Sequence, residues 1–541
     1  MKIKHGFILL WLLAGLVTAA YAAWEPAYAI VGCRIVPVAG APVEDGAIIM
    51  RNGLIEAVGA RAKVPIPEDV EVIDGKGLVA YPGFIDAYSS IFVQIPPEPQ
   101  PDSNEIFGNI PPANRVTGRN PDFMAFEHLS PGDGERDTCH NGGILTALVV
   151  PQQRLFSGQS VLLNLNGKSP AEMVIRNPVA LHVSFTGGRG AYPTTAMGVQ
   201  AFIRQLCLDA AYYQSNKESL AKLGKGVRRP VYDPFLETLT PFLLGKKPMI
   251  FACDNQEDIK RAIRLITECN AQGLIAGASE AWRVKDKLKA TNIPLLLSVN
   301  FSPPYTSIYS QKGKDSREKA EKEIYPANAA KLSEAGIVFA FTSYGLEKGV
   351  GFLAQVRKAV KAGLTEETAL KALTIHPARF LGVDSQLGTI EPGKIANIIL
   401  AGGEIFKETT RVKQVFVDGR RFEIKEDKKE SAQPGVAGKW KGSITGLEGI
   451  SEVLLELKQE KGAVTGKLTA GDKAWDIKDG KTGDESLSFS VTVPIAGKDT
   501  TLTFIGKATK DRLEGTLSYS SGKAEFMAER MPEKTAGGGY Q

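Results

Sequence analysis

The sequence predicts an α/β fold in three parts: a (β/α)8 barrel of TIM type, a split β-sandwich domain drawn from both of its flanks, and a C-terminal all-β domain. Three observations lead there. Between residues 83 and 380, short apolar runs alternate with stretches of helical periodicity, the pattern of parallel strands joined by crossover helices. Segments rich in strands precede and follow that stretch, at 23–82 and 381–424. Beyond it, residues 436–531 read as short alternating strands separated by glycine turns.

The first element is a targeting segment. Lys2 and Lys4 precede an apolar run from Gly6 to Val17, and Ala20-Tyr21-Ala22 has the small-x-small pattern of a signal peptidase site. The run is short for a membrane span, which needs about 20 residues. Residues 1–22 are therefore expected to be a signal peptide, and the mature chain to be periplasmic or extracellular with no membrane span. Strands are expected at Ala29–Val36, Gly46–Ile55 and Val70–Val79, with Asn52-Gly53 as a tight hairpin turn. Matching strands return at Gly388–Leu400 and Val412–Arg420, so one small sheet built from both ends is expected.

Within the middle stretch the strand candidates are Ile144–Val150, Val179–Phe185, Met249–Ala252, Gly273–Ala276, Ile293–Ser298 and Val338–Thr342. Helical spacing is clear over Asp258–Cys269 and Glu366–Leu373. Residues 92–136, rich in Pro, Asn, Asp and Gly, interrupt the alternation and are expected to lie over the barrel mouth as a lid, a binding loop or a plain insertion. Residues 425–435 read as a charged linker, and 532–541 as a disordered tail.

Composition narrows the function classes. The 541 residues carry a net charge of +5, with no Lys/Arg stripe interleaved with aromatics, so a nucleic-acid partner is not expected. Five cysteines, Cys33, Cys139, Cys207, Cys253 and Cys269, are scattered without the spacing of a metal knuckle. They are expected to be mostly buried free thiols, although an exported chain can pair some of them.

The segment Tyr81-Pro82-Gly83-Phe84-Ile85-Asp86-Ala87-Tyr88-Ser89-Ser90 resembles the amidohydrolase signature Pro-Gly-Phe-Ile-Asp-x-His-x-His. A second arm, Thr374-Ile375-His376-Pro377-Ala378-Arg379-Phe380-Leu381-Gly382 followed by Gly388–Leu400, is similar to the same superfamily's C-terminal signature, in particular that of its imidazolonepropionase-like exported members. The resemblance covers roughly residues 27–425. It implies the barrel-plus-sandwich fold and the hydrolysis of non-peptide carbon–nitrogen bonds by a water activated on zinc or another divalent metal. It also implies where the ligands belong: the C-terminal ends of barrel strands 1, 4, 5, 6 and 8.

At those places this chain departs from the pattern. Tyr88 and Ser90 stand where the two strand-1 histidines belong, Phe251 where a strand-5 histidine belongs, and Tyr344 where the catalytic Asp belongs. Strand 4 lacks the expected Lys or Glu but holds His182; strand 6 has no His. Phenols and hydroxyls are poor ligands for zinc, which takes imidazole, thiolate and carboxylate. No metal cofactor and no catalytic set are therefore expected. Asp86, Tyr88, Ser90, His182, Phe251, Cys253 and Tyr344 remain as pocket candidates for a small-molecule ligand at the mouth. Asp86 and Cys253 have simpler readings, as a structural carboxylate and a buried thiol. His140 and His376 are expected on the opposite, structural face, and His128 in the insertion.

The resulting expectation is an exported amidohydrolase-like protein that binds a ligand or partner without hydrolysing it. The alternative is an active hydrolase of cyclic amides or dipeptide-like substrates with an atypical site, drawing on His128, His182, Asp254 or Glu280. A third reading assigns the interaction to the C-terminal module. Oligomeric state is left open.

Overall fold

The computed structural model describes residues 26–95, 120–152, 155–187, 192–302, 316–317, 319–424, 436–447, 450–460, 463–482, 486–495, 498–509, 511–519 and 522–531. The expected signal peptide, linker and tail lie outside them, as do residues 96–119 of the insertion. The chain divides into two compact units, Met1–Ile424 and Lys425–Gln541.

The first unit opens with strands β1 (Tyr28–Ile35), β2 (Val43–Arg51), β3 (Leu54–Ala60), β4 (Glu71–Asp74) and β5 (Val79–Pro82). Asn52 and Gly53 both take positive φ in the β2–β3 turn, as a tight hairpin requires. There follow β6 (Phe84–Ser89), β7 (Ile144–Val149), β8 (Phe156–Gln159), β9 (Val161–Asn164), β10 (Val174–Arg176), β11 (Leu181–Ser184), β12 (Met249–Cys253), β13 (Gly273–Gly277), β14 (Leu295–Ser298) and β15 (Phe339–Thr342). The chain then returns to its start through β16 (Ile398–Ala401), β17 (Val412–Val417) and β18 (Arg420–Glu423). β16 pairs antiparallel with β5, so both flanks share one connected eight-stranded sheet.

The middle strands form a four-stranded sheet, β10-β9-β7-β6, and a six-stranded sheet, β15-β14-β13-β12-β11-β8. β6 and β7 are parallel, and β11 to β15 are parallel in succession. Residues 156–164, where the sequence pattern predicts no strand, run between the two sheets. β8 is antiparallel to β11, β9 is antiparallel to β7, and Ser160 between them keeps both backbone bonds, to Ala180 O (3.0 Å) and from Val179 N (2.9 Å). Short runs with small residues such as Ser157-Gly158 carry little periodic signal, which hides these strands in the sequence.

Alternation sorts the side chains into two layers. Ile85, Leu148, Leu162, Ala180, Ile250, Leu274, Leu296 and Ala340 form one inner cluster. Their neighbours, including Phe84, Val149, Leu181, Phe251, Ile275, Leu295 and Phe339, face the helices. Each fully buried Val, Leu, Ile or Phe among them contributes about 1.5–3 kcal/mol. Below this core, Asn164 and Asn397 knit the elements together: Asn397 Nδ2 and Thr146 Oγ1 donate to Asn164 Oδ1 (2.6 and 2.9 Å), and Asn164 Nδ2 donates to Asp418 (2.6 Å).

Cys207 and Cys269 form a disulfide with a Cα–Cα distance of 6.0 Å, joining the helix Ala196–Leu223 to the end of the helix Gln256–Glu268. This is the pairing that the sequence left open for some of the five cysteines. Helix packing brings together positions 62 apart in sequence, a separation that carries no pairing signal. Cys33, Cys139 and Cys253 are free and buried. Among the described residues no helix is long and apolar enough to cross a membrane.

The second unit is a closed antiparallel barrel of β19 (Gly438–Thr445), β20 (Glu452–Glu460), β21 (Ala463–Ala470), β22 (Lys473–Thr482), β23 (Ser486–Ile495), β24 (Lys498–Ala508), β25 (Arg512–Tyr519) and β26 (Gly522–Arg530). β19 pairs with β26, which closes the barrel and removes both edges. Trp440, Leu455, Phe489, Phe504 and Phe526 alternate inward and fill the interior. The Trp440 indole donates to Val436 O (2.8 Å).

Candidate functional site

The carboxyl ends of β6, β11, β12, β13 and β15 converge on one mouth. Asp86 is buried on β6 and, besides one from the Ser89 side chain, accepts three hydrogen bonds that cross to the end of β15 or close its own turn. They come from Ser343 N (2.9 Å), Ser343 Oγ (2.5 Å) and Tyr88 N (3.2 Å). Burial raises its carboxyl above the usual range, and the Ser343 bonds oppose that rise. Thr342 Oγ1 adds a bond to Tyr88 O (2.7 Å). Asp86 therefore latches β6 to the end of β15. Ser90 lies partly buried just past β6.

Tyr88 fills the centre. Its ring meets His182 edge to face at 5.2 Å and Tyr344 edge to face at 5.1 Å. Burial holds both phenols protonated, far above their ordinary range. The His182 imidazole is buried, and neither ring nitrogen has a hydrogen-bond partner among the described residues. Burial alone pushes its pKa down to about 3, so it is a neutral imidazole.

Phe251 and Cys253 are not part of this group. Period-2 alternation turns both toward the helices, where Phe251 packs against Phe185 (ring centroids 6.3 Å) and both side chains join the outer core. Burial holds the Cys253 thiol well above its ordinary range. The β12 residues that face inward are Ile250 and Ala252. Of the remaining histidines, His140 shares a hydrogen bond with Leu165 O (2.9 Å), His376 with Phe339 O (2.9 Å), and His128 stacks on Phe123 at 4.3 Å.

Beside Tyr344 opens a cleft of about 820 Å³, lined by Ser184, Ala252, Asp254, Glu280, Arg261 and Arg283 among others. Asp254 lies directly after β12. Burial lifts its pKa to about 6, against hydrogen bonds from Ser279 Oγ (3.4 Å) and the Tyr344 phenol. Gly277 makes room for it: φ is +88° there, and a Cβ would come within 2.6 Å of Asp254 Oδ1. Asn255 caps the following helix by accepting from Glu257 N and Asp258 N (both 3.0 Å), which sets Asp258 and Arg261 on the rim. Ser184, Ser279, Arg261 and Arg283 are absent from the candidates that the sequence supplies. Only Ser184 has a readable signal, sharing the inward face of its strand with His182 two residues before.

A model of the amidohydrolase family matches residues 249–422. Adenine deaminase of Archaeoglobus fulgidus is 38% identical over 76 residues, 14% of this chain and 13% of the deaminase. Adenine deaminase 2 of a Jannaschia species is 36% identical over 64 residues, 12% and 10% of the two chains. The chain thus aligns with only about an eighth of these relatives' length. In structure, an amidohydrolase of Thermotoga maritima superposes with a TM-score of 0.58 at 24% identity, covering 73% of this chain and all of that one. Residues 249–422 are thus similar to the amidohydrolase superfamily. The superposition speaks for the fold of the first unit.

Members of this superfamily use a divalent metal, so the donor set at the mouth is the test of fit. Among the described residues no three His, Cys, Asp or Glu side chains come together as metal ligands. The groups present are two protonated phenols, a serine and one histidine, with the Asp86 carboxylate committed to Ser343 and the Asp254 carboxyl set apart in the cleft beside Tyr344. Such donors do not suit zinc. Among the described residues the mouth presents an aromatic floor beside a charged cleft.

Proposed function

We propose that this chain is an exported amidohydrolase-superfamily protein whose barrel mouth binds a small molecule without hydrolysing it. The observation that carries this reading is the packed trio Tyr88, His182 and Tyr344, which occupies the place where activated water would need imidazole and carboxylate ligands. In this reading the two middle sheets make one (β/α)8-type barrel with an antiparallel third stave, residues 156–164. The shared inner cluster and the Asp86–Ser343 and Thr342–Tyr88 bonds support that closure. The Lys2–Ala22 pattern and the Cys207–Cys269 bond support export to an oxidising compartment.

The test is elemental analysis of the purified mature chain after growth with zinc, manganese and iron, with assays of amide and cyclic-amide hydrolysis. The expected result is a folded chain with far less than one metal per molecule and no hydrolysis. One tightly held metal per chain, with hydrolysis lost on chelation, would overturn the reading and establish the active alternative. A complementary variant places histidines on the inward face: Tyr88→His, Ser90→His, Ala252→His and Tyr344→Asp together should gain zinc affinity. Phe251→His in place of Ala252→His should not, because position 251 faces the helices.

A further inference from the structure

We propose that the cleft beside Tyr344 binds a small organic cation, a primary amine whose ammonium group sits on the Asp254 carboxylate. The inference rests on the proposed role of the mouth as a binding site and names the chemistry of its ligand.

Four acidic groups line the cleft, and their partners set one of them apart. Glu257 pairs with Lys260 at 2.7 Å. Asp258 pairs with Arg261 at 2.5 Å and accepts from Asn255 Nδ2 at 2.7 Å. Glu280 accepts from Gln256 N at 3.0 Å and Tyr325 OH at 3.3 Å, with the Arg283 guanidinium 3.6 Å away. Asp254 differs. Among the described residues it has no cationic partner, only the Ser279 hydroxyl at 3.4 Å and the Tyr344 phenol. A carboxylate this buried is costly unless a cation or strong donors meet it.

The surroundings fit an ammonium. Its three N–H donors need acceptors. Asp254 supplies one or two, and Ser184 Oγ, which lines the cleft and is buried without a partner among the described residues, supplies another. The Tyr344 ring adds an aromatic wall that favours a cation. The rim offers little to an anion. Arg261 is committed to Asp258, and Arg283 is about half exposed, stacked on Trp282 at 5.3 Å and leaning on Glu280.

The experiment is titration calorimetry on the intact chain at neutral pH with propylammonium, propanol and propionate as probes of one shape and three charges. Propylammonium is expected to bind saturably and the other two are not. Asp254→Asn should weaken amine binding about tenfold or more, and Ser184→Ala by a smaller factor, with circular dichroism unchanged in both. If Asp254→Asn does not fold, Ser184→Ala and Tyr344→Leu carry the comparison, and each must weaken the amine. The proposal is overturned if propylammonium gives no saturable heat, if propionate binds as well as the amine, or if neither Asp254→Asn nor Ser184→Ala changes the affinity. A metal-bearing, hydrolytic chain that still needs Asp254 for amines would sink the non-hydrolytic reading and leave this one standing. A metal-free chain indifferent to amines would do the reverse.

Discussion

Replacing Asp254 by Asn is expected to stabilise the unliganded protein, and by an amount that depends on pH. The folded carboxyl is pushed up to about 6 by burial, from an ordinary value of 3.8. A tenfold change in proton affinity is about 1.4 kcal/mol, so the ionised folded state carries a penalty of about 3 kcal/mol. The sign follows from proton counts. Between pH 3.8 and about 6 the folded state holds more of this proton than the unfolded state, so stability falls as pH rises through that window. Below it both states are protonated and the penalty vanishes. Asparagine keeps the shape and can still accept from Ser279 and Tyr344, but it never ionises. Urea melts of wild type and Asp254→Asn at pH 7.5 should differ by about 3 kcal/mol in favour of the variant, and at pH 5 by about half of that. A variant equally or less stable at both pH values would refute the claim that burial without a cation governs this carboxylate. Saturating propylammonium should narrow the gap, because it binds only the wild-type fold well.

Other perturbations follow from the same geometry. Asp86→Ala leaves Ser343 N, Ser343 Oγ and Tyr88 N without their acceptor, and should cost about 3 kcal/mol in a urea melt while raising hydrogen exchange along β6 and β15. His182, pushed down to about 3, contributes stability above pH 6.5 that is lost as pH falls toward 3. His182→Phe should preserve the contact with Tyr88 and make the protein about 2 kcal/mol less acid-sensitive at pH 5, read from paired melts at pH 5 and 7.5. Gly277→Ala forces a side chain at φ +88° against the Asp254 carboxylate, and should both destabilise the fold by about 1–2 kcal/mol in a urea melt and weaken amine binding in the calorimeter.

The sequence by itself determined the architecture and the departure from family chemistry. Tyr81–Ser90 and Thr374–Leu400 carried the resemblance to the superfamily, and Tyr88 in the first of them and Tyr344 after Val338–Thr342 stand where imidazole and carboxylate belong. Strands with long apolar runs, such as Met249–Cys253, were legible because burial on both faces writes itself into composition. The same property hid their orientation. When every residue of a strand is apolar, nothing in the sequence says whether Phe251 or Ala252 looks into the mouth, and only the register of β12 between β11 and β13 turned Phe251 outward. The antiparallel run 156–164 and the Cys207–Cys269 bond were settled by tertiary packing for a related reason: short strands and distant cysteines gain meaning only from their neighbours. The cleft is the clearest case. Asp254, Ser279 and Ser184 are ordinary polar residues at strand ends, and what sets Asp254 apart is that the described residues bring it hydroxyls and no cation. Electrostatic environment is a property of distances across the fold, and the order of residues along the chain does not encode it.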